Sequence, residues 1–557
     1  GEISYNVNLY SEVVALADTL KDRAFRDLDF TELEHDYNLT NIQATWGVTG
    51  VTYANSSTSG FRSADTVKYP FVDWNKQWYL GASGNPVLTS LETAFRPFIN
   101  IKYIIDRIFE ASDFTYESDF FNETDFKKLY MDFNWGSDNN PITGLGTNSG
   151  GEGKLTNLTT SFTNMGLQNQ GGLTLPIGWS TSLNKLTSSL ANEGYFVNYT
   201  LSYSGVSGDT INRQWVHKDS SGNTLNVFNA STITLPVGVN TYSYVGNFSV
   251  LLQPTETLQL EVKTTDTTGS SFQFAGGGFV TFAGYFVSIT SNLILQTLRG
   301  ELGQWDFLKG LLTMFNLVTL VDEDNPDNIR IEPYSDVFIP TATEGNTLAN
   351  RGIEHNWTDK IDVSQMKLEP LADLNKKTMF KFVEDDDDYS FNQYKNQVGG
   401  HLYGSNEYDA WNEFNILEGT KEIIAEPFAA TLVKPLVDNC PDFITPAIYA
   451  RGGDATWEGF DNSPRIMYDN GQVTLTSCTY FIPPQNGVGG SAFENQFLQF
   501  SHLTDIPTSN AIPSNTLDFH FGICQVMPGI GVATPNNLFG LYWQPYYNEL
   551  YNPNTRT

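Results

Sequence analysis

The stretch from Phe95 to Trp135 constrains the fold more than any other part of the sequence, because it is dense in apolar side chains. It shows no pattern of a catalytic nucleophile, a metal cluster or a phosphate loop. Six of its apolar residues recur at helical spacing, namely Phe98, Ile101, Ile104, Ile105, Ile108 and Phe109. Pro97 precedes them at a position that the first turn of a helix tolerates. A second helical stripe consists of Trp305, Leu308, Leu312 and Phe315, and two strand-like runs, Leu317–Val321 and Ile329–Ile331, follow it. Both stretches predict packing elements of a large core.

Length and charge limit the classes of protein to which the chain can belong. A chain of 557 residues is long for one core, so we expect three or four domains. Its net charge of −32 argues against a protein that wraps nucleic acid, because phosphate binding needs clustered cations. No run of eighteen apolar residues occurs, so the sequence predicts no membrane-spanning helix. The chain begins with Gly1, and we expect it to be a portion of a longer protein.

The three cysteines, Cys440, Cys478 and Cys524, are too few and too scattered to predict a disulfide framework. No CxxC pair indicates a zinc site. This usage is typical of a protein made in a cytosol.

The distribution of charge predicts an inserted domain. Residues 155–292 contain six acidic and four basic residues, which leaves 57 acids and 27 bases from the totals of 63 and 31 for the remaining 419 residues. The middle segment is also rich in Ser, Thr and Gly, and its residues 195–203 alternate between apolar and polar as in a half-buried strand. We therefore predict a β-sandwich within residues 151–295.

The fold class expected for the whole chain is mainly β with some helices, or α+β, in several domains. The predicted division has a first part at residues 1–150, the inserted sandwich at 151–295, a second part at 296–426 and a C-terminal mixed β domain at 427–557.

The acidic run Glu384–Asp388 is the densest charge cluster. A calcium loop places oxygen ligands at alternate positions around an obligatory Gly, and no Gly follows here. A solvated or pore-facing turn is favoured, with Asp385, Asp386, Asp387 and Asp388 as candidate channel-facing acids. In the Asp322–Asp327 segment, Pro326 stands where a ligand would be needed, so a hairpin turn is favoured there. The segment Gly150–Lys154 lacks the spacing of a phosphate loop and is interpreted as a linker.

The six histidines show no HxxxH or HExxH spacing. His520 and Cys524 are four residues apart in FHFGICQV, which alternates as a strand and would turn both side chains to one face. A buried pair is favoured over a metal site or a catalytic dyad, so no metal ligand, cofactor or catalytic residue is predicted.

Two further site types stay open. A pair among the 63 acids can serve glycoside hydrolysis, because only the separation in space matters, yet nothing in the sequence marks two of them out. Trp215, Tyr242 and Tyr244 of the predicted sandwich are candidate glycan contacts, with core packing as the competing interpretation.

Five stretches follow one another in a recognisable order: YNVNLYSEVVALADTLKDRAFRDLDF, FRPFINIKYIIDRIFEASDFTYESDFF, WDFLKGLLTMFNLVTLVDEDNPDNIRIEPY, NWTDKID and LYWQPYYNELYNPNTR. Together they resemble the tail hub, or baseplate hub, proteins of tailed bacteriophages that infect Bacteroidetes. The resemblance covers roughly residues 1–140 and 295–557 and leaves the sandwich as an insertion. It rests on the order of these words and not on a catalytic signature.

The resemblance implies a structural protein of the virion, at the tail tip or baseplate, that is synthesised in the host bacterial cytoplasm. Hub proteins of this kind form a ring, commonly a trimer, which joins the tail tube to the tip. Their β-barrel domains surround a channel for the ejection of the genome or of proteins. The implied partners are further copies of the chain and other tail proteins of the tube, tip and fibres. DNA is a partner only in transit through the channel.

The charge of the chain agrees with this expectation, because acidic walls repel DNA whereas basic walls would bind it. Two alternatives remain. The chain can be a receptor- or carbohydrate-binding tail protein that recognises cell-surface glycan through the sandwich, or a secreted glycan hydrolase with an attached sugar-binding module.

Overall fold

The computed structural model describes residues 12–551 apart from residues 56–59, 135–148, 154–155, 158, 169–174, 176–177, 189–192, 205–207, 235, 237–240, 253–254, 265–270, 275–278, 287, 292, 322–324, 326, 340–373, 411–416, 483–492, 507–515, 528–529, 533 and 535. The predicted strand at Ile3–Tyr10 lies outside the described residues. Among the described helices, none has both the length and the apolar character needed to cross a membrane.

The α-helices are α1 (Glu12–Leu20), α2 (Leu39–Ala44), α3 (Ile101–Glu110), α4 (Gln304–Met314), α5 (Tyr334–Phe338), α6 (Tyr389–Gln397) and α7 (Gln544–Tyr551). Short 3-10 turns occupy Phe25–Asp27, Thr31–Leu33, Leu91–Thr93, Phe120–Asn122 and Phe126–Lys128, and π-helical segments occupy Leu293–Leu298 and Phe539–Trp543.

The strands before the predicted sandwich are β1 (His35–Asp36), β2 (Val67–Lys68), β3 (Trp78–Leu80), β4 (Pro86–Leu88), β5 (Phe98–Asn100), β6 (Thr115–Glu117) and β7 (Leu129–Asp132). The strands of the sandwich region are β8 (Ser149–Gly153), β9 (Thr156–Asn157), β10 (Thr163–Asn164), β11 (Leu167–Gln168), β12 (Trp179–Ser180), β13 (Lys185–Thr187), β14 (Glu193–Ser204), β15 (Thr210–Lys218), β16 (Thr224–Thr234), β17 (Thr241–Leu252), β18 (Thr257–Thr264), β19 (Ser271–Phe274) and β20 (Phe279–Phe286). The strands after it are β21 (Ser288–Ile289), β22 (Leu317–Val321), β23 (Asn328–Pro333), β24 (Lys377–Val383), β25 (Asn406–Asp409), β26 (Thr420–Ala429), β27 (Leu432–Pro435), β28 (Ile444–Ala447), β29 (Ala450–Arg451), β30 (Trp457–Glu458), β31 (Ile466–Thr474), β32 (Gln496–Ser501), β33 (Leu517–Asp518), β34 (Cys524–Met527), β35 (Ile530–Val532) and β36 (Asn536–Asn537).

The mainly β character with a few helices is confirmed. The sheets traced within the described residues are open, so the expected hub-type β-barrels are not found in them. Strands distant in sequence build the sheets outside the sandwich, for example the order β2-β5-β7-β31-β32.

One hydrophobic cluster extends from Leu16 to Tyr551 and draws on all three predicted domains outside the sandwich. A second cluster lies between Met165 and Phe282 and contains only sandwich residues. Ile289 and Leu295 already pack in the first cluster. The division into four domains stays a prediction.

The sandwich consists of two antiparallel sheets. One has the order β12-β13-β18-β15-β16, and the other contains β14 between β20 and β17. The alternating pattern of residues 195–203 turns Tyr195, Val197, Tyr199 and Leu201 inward, as the period of a strand requires. The first strand, β8, pairs with the last, β20, so that the chain enters and leaves the sandwich side by side.

The predicted helix at Phe98–Phe109 begins three residues later than expected. Phe98–Asn100 forms β5, and the Asn100 side chain accepts a hydrogen bond from the Tyr103 N–H at 3.3 Å, which caps α3. The second predicted stripe forms α4 as expected, and its hairpin pairs β22 with β23.

A disulfide joins Cys440 and Cys478, with 5.8 Å between their Cα atoms, a single bond that the sequence analysis did not predict. The two residues are 38 positions apart, and only the fold brings them together. Asp442 reinforces the same junction, because its Oδ2 accepts hydrogen bonds from the backbone N–H and the hydroxyl of Thr476 at 2.7 and 2.9 Å.

The Gly310→Ala substitution tests the packing of α4 on β26. A Cβ at this position would lie 2.6 Å from Cε2 of Phe428, closer than nonbonded atoms approach. Alanine favours a helix by about 1 kcal/mol over glycine, but we expect the overpacking to dominate and lower the free energy of unfolding by about 1–3 kcal/mol. Urea denaturation measures the change. Gly453→Ala, where the added Cβ meets no atom within 4 Å, is the control, and an unchanged stability for Gly310→Ala would contradict the described packing.

Asp442→Asn tests, through the pH dependence of stability, the contribution of the Asp442 hydrogen bonds beside the disulfide. Burial alone would raise the pKa of Asp442, but hydrogen bonds from Ser477 and Thr476 outweigh it and lower the pKa to about 2. A lowered folded-state pKa stabilises the protein above the unfolded value of 3.8, and this contribution is lost as the pH falls towards 2. We therefore expect Asp442→Asn to lower the melting temperature at pH 7, with a difference from wild type that shrinks below about pH 4. Asp438→Asn, an exposed acid of the same loop, is the control, and a difference independent of pH would refute this role.

Candidate functional site

The acidic run Glu384–Asp388 forms the turn between β24 and α6, and two of its carboxylates point into the core. Asp388 is 1% exposed and caps α6 by accepting a backbone hydrogen bond at 3.0 Å. Its Oδ2 lies 3.2 Å from Nη2 of Arg465, which is also 1% exposed. Asp385 accepts from the same Nη2 and from the Ser463 hydroxyl, the latter at 2.6 Å. The turn is thus anchored by a buried guanidinium.

Arg465 also connects this turn to a second buried ion pair. Its backbone N–H donates to Oδ1 of Asp132 at 2.6 Å, and Oδ2 of Asp132 lies 2.6 Å from Nη2 of Arg299. Asn462 donates to the same Oδ2 at 3.1 Å. Burial raises the pKa of Asp388, and the charge of Arg465 opposes that rise.

Asp388 is buried and Asp385 is half-buried, which corrects the expectation that all four aspartates face a channel. The charges of Asp385 and Asp388 are paired with Arg465 inside the chain, so they are not available to line a lumen. Asp386 and Asp387 are exposed, and they line a cavity of about 430 Å³ together with Glu458, Asp461, Arg451 and neighbouring residues. A channel-facing role stays a prediction for these two.

The sandwich aromatics occupy different environments. Trp215 is 1% exposed and packs against Phe248 with ring centroids 5.4 Å apart, so it is a core residue, as the competing interpretation held, and not a glycan contact. Tyr244 is half-buried, and the guanidinium of Arg213 lies 3.3 Å from its ring centroid. The side chain of Tyr242 lies outside the described residues.

Strand β16 presents an uncharged edge of the sandwich. It pairs with β15 on one side and ends the order of its sheet as far as the structure describes it. Its sequence, TLNVFNASTIT, has no charged residue, and Leu225 and Val227 are 52% and 42% exposed. Natural edge strands usually carry charges or Pro that prevent pairing with other chains, whereas β16 has only register shifts opposite β15.

A compact group of His, Asp and Cys side chains lies near the C-terminal end of the described chain. His502 follows β32, Asp518 ends β33, and His520 and Cys524 lie on either side of the turn into β34. The expectation that His520 and Cys524 share one strand is wrong, because the strand is interrupted between Asp518 and Cys524. The expected contact is nevertheless present, with 3.2 Å between Nδ1 of His520 and Sγ of Cys524.

Sequence reasoning missed His502 and Asp518 as members of this group. Asp518 is two residues before His520, and that local spacing is the one signal that could have drawn attention to it. No signal pointed to His502, which is brought in by the pairing of distant segments.

Replacing Arg465 by Met tests the buried anchor of the acidic turn. The variant leaves Asp388 and Asp385 without their cation, and breaking one partner of a buried ion pair costs about 3–5 kcal/mol. Urea denaturation should show a loss of this size, and adding Asp388→Asn to the variant should recover part of it, because the amide keeps the helix cap without the charge.

Arg451→Met is the matched control, since Arg451 is exposed and lies over the rings of Tyr389 and Trp457. Equal effects of the two arginine substitutions would contradict the anchoring role of Arg465.

Comparison with known proteins assigns no family to the chain. No family model matches it, and no curated protein matches it. Two crystal structures of murine APRIL, at pH 5.0 and pH 8.5, align with 25% and 24% of this chain and with 99% and 98% of their own length. Both alignments have 10% sequence identity and a TM-score of 0.18, which is too low to support a common fold.

Proposed function

We propose that this chain is a virion structural protein of a phage tail hub, which assembles with copies of itself into a ring around a channel. The observation that carries the proposal is the unequal distribution of charge between the sandwich segment, which holds the second hydrophobic cluster, and the rest of the chain, which holds the first. The acid excess of 57 to 27 lies outside the sandwich segment, whereas the sandwich segment has six acids and four bases and presents the uncharged edge of β16. The resemblance of the flanking words to hub proteins supports the same function.

The acidic body suits a conduit for DNA. Acid-rich walls repel phosphate and leave a passing duplex without adhesive contacts. Asp386 and Asp387 are exposed and can contribute to such a wall, whereas Asp385 and Asp388 serve the fold. The sheets of the described residues are open, so in this proposal the channel is enclosed by several copies side by side.

The edge of β16 suits contact between copies. A strand at the edge of a sheet is a template for another strand, and burial of Leu225 and Val227 would add an apolar contribution. The glycan-binding alternative has less support, because Trp215 is buried and Tyr244 lies beneath Arg213. The proposed role is structural and not catalytic.

Light scattering after size-exclusion chromatography and electron microscopy of the purified chain test the proposal. We expect a ring of several copies and not a monomer, with a trimer as the first candidate. Val227→Lys places a charge on the edge of β16, and we expect it to raise the dissociation constant between copies about tenfold or more, equivalent to about 1.4 kcal/mol.

Leu183→Lys is the control, because Leu183 is 58% exposed in the sandwich but lies in the turn between β12 and β13. A ring that tolerates Val227→Lys would exclude the β16 contact and leave the hub function standing. A chain that stays monomeric and cleaves a polysaccharide would exclude the hub function itself.

A further inference from the structure

Four side chains of metal-ligating type converge beside β33. They are His502, Asp518, His520 and Cys524, and one ligand atom from each lies within 4.8 Å of the ligand atoms of the other three. Among the described residues, no other group of three or more His, Cys, Asp or Glu side chains has this arrangement. Asp518 and His520 are buried, at 2% and 3% exposure, and His502 and Cys524 are half-buried.

Three separations between ligand atoms are close to those of a tetrahedral site, two of them slightly shorter. Zinc lies about 2.0–2.3 Å from N, O and S ligands, so neighbouring ligand atoms of a tetrahedron are about 3.3–3.8 Å apart. Oδ1 of Asp518 lies 3.0 Å from Nδ1 of His502 and 3.8 Å from Nδ1 of His520. Nδ1 of His520 lies 3.2 Å from Sγ of Cys524. Small shifts of these side chains suffice to surround an ion.

The surroundings hold the ligands in place. Nε2 of His502, the ring nitrogen that faces away from the group, lies 2.8 Å from the Tyr403 hydroxyl. Such a partner orients a metal-bound imidazole and selects the tautomer whose Nδ1 is free to bind. Oδ1 of Asp518 accepts the backbone N–H of His520 at 3.0 Å, which fixes the carboxylate relative to that ring.

Gly404 shows that the backbone closes tightly over the group. A Cβ at this position would lie 2.7 Å from Cγ of His520, and its φ of +73° is in the region that favours glycine. The His520 ring is thus pressed between Gly404 and His502, whose ring centroid lies 4.1 Å away. This packing restricts rotation of the His520 ring, and in the packed position its Nδ1 faces Sγ of Cys524.

A purely hydrogen-bonded group is the competing explanation, and the contrast with the sandwich argues against it. There His217 pairs with Glu256 at 2.7 Å, and among the described residues this pair is not part of a group of three or more His, Cys, Asp or Glu side chains that could hold an ion. A hydrogen-bonded pair of His and carboxylate needs only two residues. Here the imidazoles of His502 and His520 both approach Oδ1 of Asp518. The thiol of Cys524 in turn approaches Nδ1 of His520. Such convergence of four donors is what an ion requires.

We propose that His502, Asp518, His520 and Cys524 bind a zinc ion in a closed structural site. Two imidazoles, a thiolate and a carboxylate are a donor set that suits borderline-soft Zn²⁺, and four protein ligands leave no open position for a substrate. The ion would fasten the segment after β32 to the segment around β33 and β34. The backbone oxygen of His520 accepts a hydrogen bond from the Leu538 N–H at 2.9 Å, which ties the site to the residues directly before Phe539–Trp543 and α7. The site does not depend on the hub function.

Metal analysis of the purified full chain tests the site. We expect stoichiometric zinc, a fall in melting temperature when the zinc is removed by a chelator, and recovery on adding zinc. Replacement by Co²⁺ should give the visible bands of a tetrahedral cobalt ion and a thiolate-to-cobalt charge-transfer band, which report the geometry and the Cys ligand directly.

Variants identify the ligands. Cys524→Ser should remove the charge-transfer band and His502→Ala should abolish stoichiometric binding, whereas Tyr403→Phe should weaken zinc affinity about 10–100-fold through the loss of orientation. His217→Ala removes a histidine paired with a carboxylate outside the group and should bind zinc as wild type does.

Wild-type protein that binds no zinc in titration and melts at the same temperature in chelator and in zinc would overturn the proposal. A cobalt complex without the thiolate band would also overturn it. If Cys524→Ser does not fold, the wild-type titration and the cobalt spectrum decide alone.

Discussion

The buried guanidinium of Arg465 is the constraint on which much of the remaining structure depends. It pairs with Asp385 and Asp388 before α6, and its backbone reaches Asp132, which pairs with Arg299. These contacts join segments on both sides of the sandwich insertion into one core. Buried ions are stable only when their partners are in place, so the pairs favour one arrangement of these segments over others of similar apolar burial.

The two hydrophobic bodies solve different physical problems. The larger hydrophobic cluster buries many aromatic side chains, and the sequence outside the sandwich segment carries nearly the whole acid excess, which opposes association with nucleic acid. The sandwich carries little charge and ends one sheet with β16, where Leu225 and Val227 are exposed. In the proposed assembly, repulsion between acidic surfaces outside the sandwich and contact between copies at β16 would together favour one ordered arrangement of the copies.

Local patterns predicted local structure well. The stripes of α3 and α4, the hairpin β22–β23 and the alternation in β14 follow directly from side-chain period. The failures concern contacts between distant residues. The charge of Asp388 is neutralised by a residue 77 positions away, Cys440 finds Cys478 across 38 positions, and His502 joins His520 through strand pairing. A single sequence carries no periodic signal for contacts between distant residues. An acidic run is therefore predicted to be exposed when the position of its basic partner is unknown.

The side-by-side arrangement of β8 and β20 has an evolutionary consequence. Ser149 and Phe282 are direct partners across these strands, so the two points where the chain crosses between bodies lie close together. A module attached at neighbouring points can be lost, gained or exchanged by recombination without stretching the parent core. This position is therefore a point at which the sandwich can be inserted, lost or replaced while the rest of the core stays unchanged.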